Sequence, residues 1–374
     1  MRPYARPIFI CDGSDRLLCP IPLKINTYRG CGGSCLYCAA AGNMSRWESR
    51  AQGTFTDIAP SSTRYIEKMF YRHNGRMEGA LISQRYPVQI GHMSDPLQPR
   101  EKVHEVTLKV LRVLQDREYP CIITSKFPDL LTEPEYLRAI EGLPLAIQCS
   151  ISSADPAMLR ILEPNAPPWQ ERIEALRTLH EAGVHVILRL WPYIPDLCGD
   201  LMPLLQAAKS AGVRTIQANF LKLYNSGNNR GLFHQALGYD LPERSRMTWE
   251  YRGNYQIARL EDQRREIVKL EELCHGLGIR VLTCDDLTGN RAWRDCCGVG
   301  DLPGFKVAPW AYQVRGHVIT SHTDFETYMQ GLRCPWHAEF EAEWNKGTFA
   351  DAIHNLQFHE DDKSYSKIKI NQGE

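Results

Sequence analysis

The chain has no excess of charge of either sign: Lys and Arg together number 44, and so do Asp and Glu. No global field therefore favours a polyanion, and binding to duplex DNA, whose affinity comes mostly from phosphate neutralisation, would need a local basic groove. No run approaches the roughly 18 apolar residues of a membrane span. The opening MRPYARPIFICDGSDRL also lacks an apolar core followed by a small-residue cleavage site. The expectation is a cytoplasmic protein without membrane association. In a reducing compartment its 13 cysteines are expected to be thiols or metal ligands rather than a disulfide framework.

The 374 residues, 43% hydrophobic and 24% charged, have the composition of a soluble globular protein with one large core or two smaller ones. Short apolar runs at Pro22–Asn26, Val88–Met93, Cys121–Lys126, Leu145–Ile151, His185–Pro192 and Thr215–Leu223 read as strands. Helical patterns fall between them near 60–72, 101–116, 133–141, 169–182 and 199–210. The clearest is WQERIEALRTLHEAG, where Ile173, Leu176 and Leu179 share a face and Gly183 supplies a C-cap. Such alternation predicts an α/β fold with a parallel sheet and right-handed crossovers, curved into a full or partial barrel, with its chemistry at the C-terminal ends of the strands.

YRGCGGSCLYCAA follows the first of these strands and sets Cys31, Cys35 and Cys38 within eight residues. Zinc in a closed structural site takes four ligands, and no further Cys or His follows nearby. Unligated buried thiols are the bland alternative, which the clustering disfavours. A cubane [4Fe-4S] cluster held by three thiolates leaves one iron open for a substrate or cofactor, and Gly32, Gly33 and Ser34 suit a loop that wraps closely around it.

Cys31, Cys35, Leu36, Tyr37 and Cys38 resemble the C-x3-C-x-aromatic-C signature of radical S-adenosylmethionine (SAM) enzymes. That resemblance implies a partial (β/α)6 TIM barrel, a [4Fe-4S] cluster on Cys31, Cys35 and Cys38, and reductive cleavage of SAM to a 5′-deoxyadenosyl radical. It also implies a reducing partner such as flavodoxin or ferredoxin. QIGHMSDPLQPRE, CSISSADPAMLRILEPNAPP and VILRLWPYIPDL further resemble the spore photoproduct lyase-related branch over about residues 20–225. By that likeness Tyr37 lies against the adenine, and Ser94, Lys126 and Ser150 contact SAM. Arg189 is a partner for its carboxylate, since a guanidinium binds carboxylates bidentately; the alternative is that Arg189 pairs with Glu163 and Ser150 merely ends a strand. Asp95 reads as a turn residue before Pro96 or as a fixed point for the loop beside SAM.

One position departs from the branch. The photoproduct-repairing lyase carries a hydrogen-donating cysteine two residues before the matching serine, where this chain has His92. Imidazole is a poor hydrogen-atom donor. His92 is expected to bind substrate, to act as a general acid or base, or to serve as a structural residue. Cys121, Cys149 and Cys198 are replacement donors by sequence, the first two lying within strands.

Residues 1–19 are expected to form an N-terminal extension, 20–225 the radical SAM barrel and 226–374 a C-terminal cap with a cysteine-containing extension. YNSGNNRGLFHQALGYDLPERSR reads as an irregular connection. YQIARLEDQRREIVKLEELCHGLG reads as one long helix with Leu260, Ile267, Leu270 and Leu273 on its apolar side, leading into a strand at IRVLTC. Cys284, Cys296, Cys297 and Cys334, with Cys274 and His337 nearby, are candidates for a second metal or iron–sulfur site or for unligated thiols near a substrate. Cys296 or Cys297 is a candidate hydrogen-atom donor if it faces the barrel mouth. Trp293, Trp310, Tyr312, Trp336 and Trp344 offer surfaces for stacking a flat base, or simple packing.

These features predict a radical SAM enzyme, of lyase type, acting on a nucleobase or nucleoside as a small molecule, similar to the queuine-cleaving relatives. One alternative is a lyase that repairs DNA lesions. From a different class comes a noncatalytic iron–sulfur redox or sensor protein, which would have no use for a SAM site.

Overall fold

The computed structural model describes residues 7–10, 19–41, 58–72, 77–225, 228–253, 255–284 and 296–307. Cys334, His337, Trp293, Trp310, Tyr312, Trp336 and Trp344 lie outside them.

In chain order the strands are β1 (Ile8–Ile10), β2 (Leu23–Ile25), β3 (Tyr28–Arg29), β4 (Ala59–Pro60), β5 (Val88–Ile90), β6 (Cys121–Ser125), β7 (Leu145–Ser150), β8 (His185–Tyr193), β9 (Thr215–Phe220), β10 (Leu223–Tyr224), β11 (Trp249–Arg252), β12 (Tyr255–Ala258) and β13 (Arg280–Leu282). The helices are α1 (Thr63–Arg72), α2 (Met77–Ser83), α3 (Glu101–His104), α4 (Val106–Asp116), α5 (Pro134–Ile140), α6 (Pro156–Leu162), α7 (Trp169–Glu181), α8 (Met202–Ser210), α9 (Asn229–Leu237), α10 (Leu241–Arg244) and α11 (Leu260–His275).

The main sheet runs β1-β2-β5-β6-β7-β8-β9-β13. All its neighbours pair in parallel except β1, which lies antiparallel on β2. This is the α/β partial barrel the alternation predicts, and β13 continues the sheet past residue 225. The period-two alternation of the strands assigns their faces. Ile123, Ile147, Leu188 and Ile216 point to the helix-covered layer and join the principal core with Leu111, Leu176 and Leu204 of α4, α7 and α8. Lys24, Gln89, Thr124, Gln148, Arg189 and Gln217 take the opposite phase and are buried inside the barrel.

The N-terminal end of the barrel has a floor. Ile122, Ala146 and Ile187 are buried against Cys296, Cys297 and Val299. Gln148 Nε2 donates to the Cys297 carbonyl at 2.9 Å, and Gln217 Nε2 to the Cys296 carbonyl at 2.5 Å. Residues 296–307 thus close the barrel from below.

Three readings need correction. The Gly/Asn-rich connection after 225 holds a regular helix, α9, which buries Phe233 and ends on Gly238 in the left-handed conformation. Tyr255–Ala258, read as the start of a long helix, is β12, the middle strand of the sheet β10-β12-β11; the helix begins only at Leu260, and Leu273 is 39% exposed. The single helix expected over 101–116 breaks at Glu105, whose φ is +51°.

Candidate active site

The cysteine loop leaves β3 at the C-terminal end of β2 and is gripped from three neighbouring segments. From the loop after β5, wholly buried Gln98 accepts from Gly32 N–H at 2.8 Å through Oε1 and donates through Nε2 to the carbonyls of Gly30 (3.2 Å) and Asp95 (3.0 Å). From the loop after β7, the Leu162 carbonyl accepts from Leu36 N–H at 3.0 Å, and Asn165 Nδ2 donates to the Gly32 carbonyl at 2.8 Å. From α9, Asn229 Nδ2 reaches the Leu36 carbonyl at 3.4 Å.

Glu101, three residues beyond Gln98, is buried and accepts from the hydroxyls of Tyr28 and Tyr136 and from the N–H groups of Thr107 and Leu108. It fixes β3, where the loop starts. Asp95 ties the end of β5 to that of β6: its carboxylate accepts from Ser125 Oγ (2.6 Å), Lys126 N–H (2.7 Å) and Leu97 N–H (3.0 Å). Burial raises its carboxyl pKa against these three bonds. Gly91 makes the turn between them possible. Its φ is +95°, and a Cβ there would stand 2.5 Å from the Thr124 carbonyl oxygen.

Tyr37 is buried, and its hydroxyl donates to Glu163. Glu163 in turn is paired with Arg172, both side chains wholly shielded from solvent. Burial by itself would raise the Glu163 carboxyl, but Arg172, Lys126 and the Tyr37 hydroxyl hold it below its ordinary value. Lys126 Nζ lies 5.4 Å from the centroid of the Tyr37 ring. Desolvation works to lower the pKa of this ammonium, yet Cys35, Glu163 and Asp95 raise it overall.

Two of the three loop thiols flank Gly33. A Cβ on Gly33 would lie 3.5 Å from Cys31 Sγ and 3.6 Å from Cys35 Sγ. Gly33 N–H and Ala41 N–H donate to the sulfurs of Cys31 and Cys38, each at 3.4 Å. Burial pushes the Cys31 thiol up to about 12 and raises those of Cys35 and Cys38.

The remaining predicted residues fall into two groups. Near the loop, Ser94 is buried and donates to the Tyr28 carbonyl at 2.6 Å, and Ser150 is buried at the end of β7. Deeper, Arg189 has its guanidinium 4.0 Å from the Trp191 ring centroid, with Nε lacking a partner. Desolvation lowers it to about 10 against the thiols of Cys284, Cys297 and Cys296. Glu163 is therefore the partner of Arg172 and not of Arg189. His92 packs edge-on against Phe9 at 5.8 Å with part of its ring open to solvent, and its pKa is lowered by desolvation of the packed side and by the charges of Lys24 and Arg189. Cys121 and Cys149 point into the principal core, away from the barrel interior. Among the described residues no three His, Cys, Asp or Glu side chains form a group that could hold a metal ion. Cubane thiolates each bind a different iron and so ring a cluster without converging on one point.

Gln98, Glu101, Glu163, Arg172 and Gln217 carry no assigned role in the sequence reading, apart from Glu163 as the alternative partner of Arg189. The first three stand in the quoted motifs SDPLQPRE and LEP, which was the available signal.

A cysteine loop at the C-terminal mouth of a partial α/β barrel, held by the loops of the adjoining strands, defines a class. Residues 25–197 match the family model described as the radical SAM superfamily, and this part of the chain is a radical SAM domain. The fold is similar to that of spore photoproduct lyase. A cysteine-to-serine variant of that enzyme superposes with a TM-score of 0.50 at 15% identity, covering 70% of this chain and 76% of that one. A variant with bound SAM and dinucleoside spore photoproduct gives 0.50 at 13% identity and the same coverage. Among curated relatives, an uncharacterized protein of Mycobacterium tuberculosis is 26% identical over 235 residues, 60% of this chain and 65% of that protein. Another, from Methanocaldococcus jannaschii, is 25% identical over 174 residues, 46% of this chain and 61% of that protein. The chain thus matches just under two thirds of the length of these relatives.

The radical SAM family implies a [4Fe-4S] cluster and SAM, and the loop fits the cluster. Two of its sulfurs flank a residue with no side chain, the sulfurs of Cys31 and Cys38 receive backbone N–H groups, and the thiols sit where burial disfavours ionisation unless cationic iron is present.

Proposed function

We propose that this protein is a radical SAM lyase acting on a nucleobase or nucleoside, with Cys31, Cys35 and Cys38 as the cluster ligands. The bound cluster and SAM supply the chemistry of reductive cleavage to a 5′-deoxyadenosyl radical. Lys126, placed beside Cys35 and over Tyr37, holds the SAM carboxylate, with Ser94 and Ser150 completing the cofactor side. Tyr37, clamped by Glu163, presents its ring toward the adenine. Arg189, among the inner thiols, is left for the substrate.

The observation that carries the small-molecule reading is the closed floor. A barrel interior lined by Lys24, Gln89, Gln148, Arg189 and Gln217 and sealed by residues 296–307 suits a compact polar ring better than a strand passing through. His92, whose pKa is lowered by desolvation and by Lys24 and Arg189, orients substrate by hydrogen bonding. Cys296 and Cys297, in the floor opposite the cysteine loop, hold S–H bonds weak enough to give a hydrogen atom to a carbon-centred product radical that reaches the floor; the thiyl radical left behind is restored by one electron from the reductant, a flavodoxin or ferredoxin, and a proton from water.

The test is 5′-deoxyadenosine formation by anaerobically reconstituted, dithionite-reduced protein with SAM. Stimulation by nucleobases or nucleosides, and not by ultraviolet-damaged oligonucleotides, is expected. Stimulation by the damaged oligonucleotides alone would replace this reading with lesion repair, and absence of SAM cleavage under every condition would return the protein to the noncatalytic iron–sulfur class.

A further inference from the structure

Among the described residues, two buried polar atoms at neighbouring inner-face positions of β8 and β9 are unmet, and they are complementary. Arg189 Nε is a donor without an acceptor, and Gln217 Oε1 is an acceptor without a donor. Arg189 of β8 and Gln217 of β9 are register partners, so their side chains leave the same face of neighbouring strands about 4.8 Å apart. Both also converge on the same thiols. Gln217 Nε2 lies 3.6 Å from Cys284 Sγ, and Cys284, Cys297 and Cys296 are, after desolvation and together with Tyr37, among the groups that act on the Arg189 charge.

They are not bonded to each other because each is oriented by something else. The Gln217 amide is turned by its bond to the Cys296 carbonyl, and the guanidinium plane is laid against Trp191. Leaving such atoms unmet is unfavourable in a buried site, because each has given up its hydration without a replacement bond. A site of this kind is filled by a ligand that brings the matching pair.

We infer that Arg189 and Gln217 form a two-point subsite that reads the pairing edge of an unpaired planar base, a ring carrying a hydrogen-bond acceptor and an N–H donor on adjacent atoms. The inference rests on the nucleobase reading and deepens it. A carboxylate or phosphate would satisfy Arg189 but set oxygen against oxygen at Gln217, so the subsite disfavours acids. A base already paired in a duplex has this edge occupied, so the subsite selects free nucleosides or single-stranded bases. Trp191, half-exposed above the guanidinium, is the layer a ring must displace or stack upon.

The experiment is calorimetric binding of uridine against 3-methyluridine, and of inosine against 1-methylinosine, to the full chain with reconstituted cluster and SAM. The methyl group removes the N–H donor and leaves the rest of each ring in place. The expected result is binding of the parent nucleosides with a loss of about tenfold or more on methylation, because a site built to hydrogen-bond a group rejects the analogue lacking it. Gln217→Met should erase that ratio. The ligand comparison on the unaltered protein needs no variant and stands even if Gln217→Met does not fold. Equal affinity for parent and methylated nucleosides would overturn the subsite while leaving the nucleobase reading intact. Absence of nucleoside binding together with turnover of another substrate class would overturn both.

Discussion

Glu163 and Arg172 form an ion pair from which solvent is wholly excluded, and the same carboxylate receives the hydroxyl of Tyr37, the residue next to the third cysteine. The geometry of the cysteine loop is thereby tied to a charge pair between the C-cap of α6 and α7. Removing one member leaves the other charged and buried. Glu163→Gln is expected to destabilise the protein by about 3–5 kcal/mol, read as a shift in the chemical denaturation midpoint. The deficit should depend on pH. A carboxyl held below its ordinary value of 4.5 contributes stability above that pH and loses it as pH falls through the folded value. Wild type and variant should therefore converge on acidification below about 4.5; a constant difference down to the lowest pH measured would contradict the assignment.

The cysteines divide into two sets by the face they occupy. Cys31→Ala, Cys35→Ala and Cys38→Ala are each expected to abolish iron retention and SAM cleavage. Cys121→Ala and Cys149→Ala, whose side chains lie in the principal core, should retain iron and lose only about 1 kcal/mol of packing. Iron content after anaerobic reconstitution separates the sets, and full iron loading in any of the first three would remove that residue from the ligand set.

Gln98→Leu keeps the volume and deletes both grips on the loop, leaving Gly32 N–H without its acceptor. A loss of about 1–3 kcal/mol is expected. Because that loss falls on the loop, cluster iron should leave the variant faster in the presence of a chelator. Release at the wild-type rate would show that the loop is held elsewhere.

His92 should titrate below its ordinary value of 6.5 when followed by its ring proton resonances, because desolvation of its packed side and the charges of Lys24 and Arg189 disfavour imidazolium. Its folded pKa is depressed, so protons bind the unfolded chain more readily, and folding stability falls as pH drops below about 6.5. Lys24→Met should move the midpoint upward. A midpoint at or above 6.5 in the unaltered protein would contradict the environment described.

The strand and helix alternation was legible because the apolar periods of β5 to β9 and of α7 are long enough to show, and the cysteine loop because three thiols at that spacing have few uses. Gln98, Glu101 and Glu163 were visible as letters in motifs, but their roles were not. Nothing in SDPLQPRE says that Gln98 turns back on Gly32, 66 residues earlier. α9 was hidden by its Gly/Asn-rich approach, since local composition describes the turn and not Phe233, which anchors the helix. β12 was lost for the opposite reason: YQIA merges with the pattern of α11, and only pairing with β10 and β11 makes it a strand.

The floor of the barrel bears on the order in which the molecule is assembled. Gln148 meets the Cys297 carbonyl across 149 residues of chain. On the ribosome, β2 to β9 emerge before the segment that seals them. The apolar inner face formed by Ile122, Ala146 and Ile187 is thus left uncovered until synthesis has passed residue 299. Nascent chains of this protein have an interval in which the cysteine loop is complete but the opposite end is open, and a stop placed before Cys296 would prolong that interval indefinitely, turning a transient apolar surface into a permanent one.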